Sequence, residues 1–193
     1  MWNRLVKRWR ERLRRFDASE RGAAAVEFAL LAPPFLLILG VIMETGLMMF
    51  TEYTLQSAVQ DSSRLVRTGQ AQSTPLSAAQ FKTKICGTAG VIIDCSNKVT
   101  VYVRSDANFA TLKTNLPNFL TIGGAVGTTP AGPNCYNPGQ PSQPAAVVAT
   151  YDWYFNMWGM SFLGNIAGNT ARRLVGFAIF QNEPYPSAGA TAC

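Results

Sequence analysis

The sequence predicts an α+β protein: a long N-terminal transmembrane helix continuing into a small disulfide-bonded extramembrane domain with an antiparallel sheet. Three observations carry that expectation. Sixteen residues without a charge lie between Glu27 and Glu44, and residues 23–26 extend the apolar run to the ~20 that span a hydrocarbon core. After Glu44 the apolar residues thin to a helical stripe. Beyond residue 70 come short β-rich runs and all four cysteines, Cys86, Cys95, Cys135 and Cys193.

The leader, residues 1–22, carries eight Arg and Lys against Glu11, Asp17 and Glu20, a net of +5 out of the chain's +6. Positive charge beside an apolar segment marks the cytoplasmic side. That rule places the N-terminus inside and the remaining residues outside. Leu5, Trp9, Leu13 and Phe16 are spaced for one face of a basic helix lying on an anionic leaflet, and an unstructured leader that only sets orientation fits the same residues. Without the leader the chain is nearly neutral and has no clustered basic face, which argues against nucleic acid as a partner.

From Ser19, a residue suited to an N-cap, one helix is expected over residues 22–68, about 70 Å at 1.5 Å per residue. Its membrane part covers about residues 23–45. Pro33 and Pro34 lack the N–H that the ladder needs, so a kink or a locally melted turn is expected near residues 29–34. Such a feature is tolerated in lipid where protein, side chains or water satisfy the freed carbonyls. In the outer half Met48, Leu55, Val59, Ser62 and Val66 form one stripe, with Glu52, Gln56, Gln60, Asp61 and Arg64 elsewhere on the wheel. Arg64, Arg67 and Gly69 end the helix.

The domain, residues 70–193, is expected to open with a short helix from Thr74-Pro75 to Cys86-Gly87. Residues 98–104 alternate as a strand, with Val99, Val101 and Val103 on one face. Residues 106–120 fit helix or loop, and residues 123–144 read as a long irregular connection rich in Gly and Pro. Residues 145–155 and 172–181 are two further strands. A sheet packed on the outer half of the long helix would bury the Val face and the helix stripe together.

An even cysteine count on the exterior side reads as two disulfides in an oxidising compartment. Cys86 with Cys95 closes a short loop, and Cys135 with Cys193 would hold the C-terminus. With no Cys-x-x-Cys pair and no histidine, a metal site is disfavoured and Ser-His-Asp or Cys-His catalysis is impossible. The acids after the span form no motif, so no enzyme and no cofactor is expected. The aromatics at residues 151–158 fit either a binding surface or a buried strand.

The pattern around Glu27 says more. An ionisable group within a membrane segment costs about 2.5–3.5 kcal/mol near the midplane, and such groups usually have a partner. Gly22-Ala-Ala-Ala-Val-Glu27-Phe28 resembles the processing site of type IV pilin-like proteins of the Tad (tight adherence, Flp-type) pilus. With Glu44 ending the apolar run, a Gln/Ser/Arg-bearing helix beyond it and Phe180-Gln-Asn-Glu-Pro-Tyr185 near the C-terminus, the chain resembles the TadE-like family of minor pseudopilins. Phe28 replaces the tyrosine of major Flp pilins, and the large outer domain departs from those short proteins. A TadE-like and a TadF-like role both stay open. The resemblance implies a pseudopilin-like fold and cleavage by a prepilin peptidase between Gly22 and Ala23. It implies partners in the major Flp-type pilin, other minor pseudopilins and an inner-membrane assembly platform. It also implies a single-pass location in a bacterial inner membrane, with the domain in the periplasm or carried into the pilus. Glu27 would then pair with the new amine of a neighbouring subunit and set its register. The alternative is an unprocessed, membrane-anchored periplasmic adhesin or scaffold, and processing after Gly22 separates the two.

Overall fold

The computed structural model describes residues 20–89, 93–116, 136–157, 159–165 and 171–186. The leader up to residue 19, Trp158 and both Cys135 and Cys193 lie outside the described residues, and so does the expected pairing of those two cysteines. The chain divides into two units, Met1–Met43 and Glu44–Cys193.

Helix α1, Glu20–Arg67, begins in the first unit and ends in the second. In the first unit its large apolar side chains are exposed, Phe28 to 73 % and Leu31 to 69 %. An apolar helix surface of this extent is stable only when lipid or another protein covers it. Among the described residues α1 is the one helix long and apolar enough to cross a membrane, the mark of a single-pass anchored protein. Pro33 and Pro34 sit inside it, and the helical backbone is continuous across both. A locally melted turn is therefore not present. The first helical turn before each proline absorbs the missing donors, leaving the carbonyls of Ala29 and Leu30 without their helical N–H.

The second unit is built on the outer half of α1. Met48, Leu55, Val59, Ser62 and Val66 are all buried, as their spacing requires. They meet a three-stranded antiparallel sheet of order β1-β2-β3, made of β1 (Val99–Ser105), β2 (Pro144–Tyr154) and β3 (Ala171–Gln181). Val103 faces Val147 and Val148 faces Phe177 across the two ladders. Leu55, Val59 and Val66 share one cluster with Val99, Val103, Val147 and Leu174. Gly176 is where strand and helix touch: a Cβ built there would lie 3.0 Å from the Leu55 carbonyl oxygen and 3.1 Å from a Val59 methyl. Val101 packs half-buried against the same cluster as Val99 and Val103, as the alternation requires, and Tyr102 is buried on the opposite face, which is covered too, with Tyr102 and Val148 against Leu116 and Val175.

Among the described residues three helices run between α1 and β1: α2 (Gln70–Ser73), α3 (Ala78–Ala89) and α4 (Cys95–Lys98). Helix α3 starts three residues later than Thr74-Pro75 suggests. Ser77 and Gln80 form a reciprocal capping box, Ser77 N–H donating to Gln80 Oε1 at 2.8 Å and Gln80 N–H to Ser77 Oγ at 3.2 Å; this local pair satisfies two orphan donors and fixes the start. The helix also runs past Cys86-Gly87, since Phe81, Ile85 and Ala89 form one buried face that reaches its last turn. In the ambiguous stretch after β1, Asn108 caps helix α5 (Phe109–Asn115) by accepting the Thr111 N–H at 2.8 Å.

Cys86 and Cys95 are disulfide-bonded with Cα atoms 5.4 Å apart. The bond ties α3 to α4, and Cys95 lies in the same core cluster as Phe81 and Ile85. A link this short in sequence is worth about 2–3 kcal/mol in the loop-entropy account. Replacing both cysteines by alanine is expected to lower unfolding free energy by that amount, read from urea melts under oxidising conditions. A double variant as stable as the parent would show that packing alone holds α3 against α4.

Candidate functional site

The residues singled out by sequence fall at three places. The first lies on the apolar part of α1. Ala23 and Glu27 are exposed there, on successive turns of one helix. Among the described residues Glu27 has no hydrogen-bond or ion-pair partner. A groove lined by Phe28, Leu31, Ala32, Phe35 and Leu36 runs along the next turns.

The second place is Glu44. Its carboxylate closes the uncharged run in sequence, yet it is 7 % exposed and belongs to the sheet-bearing unit. Oε1 accepts the Asn156 N–H at 2.6 Å and Oε2 accepts the Met157 N–H at 2.9 Å. A buried carboxylate is tolerated when charge-assisted hydrogen bonds replace its water, and these two amides do so. They belong to the loop that leaves β2, so Glu44 fastens the end of the sheet to the helix. Sequence reasoning noticed this residue and not its role. The only signal was a lone carboxylate at the end of an apolar run.

The third place is the C-terminal Phe180-Gln-Asn-Glu-Pro-Tyr185 segment, which closes over the end of α1. Glu183 N–H donates to the Arg67 carbonyl at 2.9 Å, and the Arg67 guanidinium stands 3.4 Å from the Glu183 carboxylate. Both side chains of that pair are about half exposed, so it adds little. The buried amides do more. Asn182 donates from Nδ2 to the carbonyls of Pro138 and Gln140, at 2.9 and 3.1 Å. Gln72 donates from Nε2 to the carbonyls of Val66 and Pro138, at 3.1 and 3.0 Å, and to the Tyr185 hydroxyl at 2.7 Å. The Val66 carbonyl, which also accepts the Gly69 N–H at 3.2 Å, thus takes a second hydrogen bond from a side chain of the next helix. The Tyr185 ring lies against Gly69, whose φ of +78° is the left-handed conformation glycine adopts without strain.

Burial also affects the tyrosines. It pushes the Tyr136 phenol up to about 12, next to the Phe81 ring at 5.4 Å, and it raises Tyr151 and Tyr185. In the unfolded chain these phenols ionise near pH 10, so the unfolded state loses protons first and stability falls as pH rises from 10 toward 12. The second unit is expected to unfold over that window, followed by circular dichroism. Tyr136→Phe is expected to shift the transition to higher pH, and an unchanged alkaline midpoint would remove Tyr136 as a cause.

Among the described residues no three side chains of the metal-ligating types come together. No curated protein and no solved structure matches this chain. Residues 22–64, from the glycine before Ala23 through Glu27, Glu44 and the buried stripe, match the model of the family TadE, described as TadE-like protein, which associates this part of the chain with Tad pilus systems.

Proposed function

We infer that the protein is a minor pseudopilin, TadE-like or TadF-like, that takes part in assembling or priming a Tad/Flp pilus after a prepilin peptidase cuts between Gly22 and Ala23. The observation that carries this reading is the carboxylate of Glu27, without a partner among the described residues, on an exposed apolar helix whose family match begins at Gly22. A lone carboxylate in such a place has a reason to exist if a cation arrives from a neighbour, and cleavage creates one as the amine of Ala23. On its own helix that amine lies one turn away; on an adjacent subunit it reaches Glu27 when the two helices are in register. Pairing then rewards one register over others more than it adds net stability. The prolines fit the same picture, since the carbonyls of Ala29 and Leu30 are acceptors for a neighbouring helix, and a bend at Pro33-Pro34 would present them.

The reading places the leader in the cytoplasm, α1 in the inner membrane and the sheet-bearing unit in the periplasm. Its partners are the prepilin peptidase, the major pilin, other minor pseudopilins and the assembly platform. Co-expression with the cognate peptidase tests it by N-terminal sequencing and intact mass. The expected result is a chain starting at Ala23, a product that Gly22→Arg abolishes. An intact Met1 terminus beside a peptidase active on its major pilin would sink the proposal and leave an anchored adhesin or scaffold.

A further inference from the structure

The sheet ends at β3, and the outer edge of that strand is occupied in an uneven way. The Gln56 carboxamide, reaching over from α1, accepts the Phe177 N–H at 2.9 Å and donates to the Phe177 carbonyl at 2.9 Å. It imitates one residue of a missing neighbour strand. Asn165 does the same at Arg173, accepting the N–H at 2.6 Å and donating to the carbonyl at 3.4 Å. Antiparallel strands alternate inward and outward backbone pairs, so Val175, Ile179 and Gln181 also turn their N–H and C=O groups outward. Among the described residues none of those backbone groups has a partner. The open stretch at Ile179 and Gln181 is bracketed by two fixed points, the Gln56 amide at Phe177 and the Arg67 carbonyl at Glu183.

What flanks this edge differs on its two sides. On the sheet face turned away from α1, Phe177 and Ile179 are each 46 % exposed. On the helix side, a groove of about 610 Å³ separates residues 177–180 from Gln60, Arg64 and Arg67. Arg64 has no acidic partner among the described residues, and Arg67 has only the exposed pair with Glu183. A strand added to β3 would place successive side chains on opposite faces. One set would meet Phe177 and Ile179 and the other would meet the two arginines.

We propose that the free edge of β3 at Ile179 and Gln181, beside Arg64 and Arg67, is a docking site for an extended segment of another protein in which apolar and acidic residues alternate. Main-chain pairing with Ile179 and Gln181 gives the attachment, and the two-sided alternation gives the selectivity. The Gln56 amide ends the added ladder and thereby fixes its register. This inference rests on the sheet edge and is independent of processing at Gly22.

The test uses the full chain in detergent micelles and a fluorescent peptide of about eight residues alternating Val and Glu, ~26 Å when extended. Fluorescence anisotropy is expected to report binding. Binding is expected to weaken by at least about tenfold for a peptide with Lys in place of Glu, for one N-methylated at alternate residues, and for the Arg64→Glu protein. Arg64 is exposed, so that variant is expected to keep the parent melting temperature. No binding up to millimolar peptide overturns the proposal, and so does binding that ignores N-methylation or ignores Arg64→Glu. Arg64-dependent self-association of the chain without peptide binding would make a second copy the occupant and equally overturn it.

Discussion

Gly139→Ala is expected to be the most damaging single-methyl change in the described part of the molecule, lowering unfolding free energy by about 2–5 kcal/mol. Two independent costs add. Gly139 has φ of +79°, where a side chain costs about 1–2 kcal/mol. A Cβ built there would also fall 2.0 Å from Ser105 Oγ and 2.3 Å from Ser105 Cβ, an overlap that drives displacements typically worth about 1–3 kcal/mol. Ser105 has nowhere to retreat. It is the buried last residue of β1, and its hydroxyl donates to the Pro144 carbonyl at 2.9 Å. Residues 138–143 would have to move instead, and they hold the carbonyls that receive Gln72 and Asn182. Urea unfolding of the detergent-solubilised chain reads the loss. Gly139→Asn separates the causes, because asparagine accepts the left-handed backbone and keeps the overlap; it is expected to be nearly as damaging as alanine. Adding Ser105→Gly to Gly139→Ala is expected to restore part of the stability. A Gly139→Ala protein within about 1 kcal/mol of the parent would mean that the loop yields easily.

That loop also marks where the sequence stops being readable. The stripe from Met48 to Val66 was legible because a helix of 3.6-residue period must bury residues at those spacings, and all five are buried. The three strands were legible as β-branched and aromatic runs between turn-forming residues, and Cys86 with Cys95 as a short loop between two thiols. The faces of β1 were legible in part. Alternation there suggests one buried side, but Leu116 and Val175 cover Tyr102 on the other. The start of α3 was mistaken because Thr74-Pro75 is a conspicuous helix opening, while the Ser77/Gln80 box that wins is made of two ordinary residues. The clasp at the end of α1 had no local signal at all. Gln72 and Asn182 are buried amides whose partners lie up to 113 residues away. Neither residue differs in sequence from a solvated polar one. The pilus motif was legible for a different reason: a glycine, small residues and a carboxylate within a few positions of a membrane segment are unusual enough to resemble one family, and residues 22–64 match it.

Glu44→Gln is expected to separate the two carboxylates that end and begin the uncharged run. Glu27 is exposed and unpartnered among the described residues, whereas Glu44 is already satisfied by Asn156 and Met157. The amide variant keeps one acceptor and turns an NH₂ group toward a backbone N–H. Two donors then compete for one oxygen, and an unsatisfied donor beside a buried side chain costs about 1–3 kcal/mol. Glu44→Ala removes both acceptors and is expected to cost more, about 3–4 kcal/mol, including the space left behind. The loss has a location. Hydrogen exchange at the Asn156 and Met157 amides is expected to quicken by roughly tenfold or more in Glu44→Gln, with the amides in the middle of β1 and β2 much less affected. Uniform acceleration across the sheet would instead make Glu44 a general stability determinant. Amides as well protected as in the parent would mean that the carboxylate does not fasten the loop. In cells the distinction becomes functional under the pseudopilin reading. Glu27→Ala is expected to leave the second unit at parental stability and impair assembly. Glu44→Gln is expected to leave cleavage after Gly22 intact and deliver a matured chain whose β2 end has come loose from the helix that carries it.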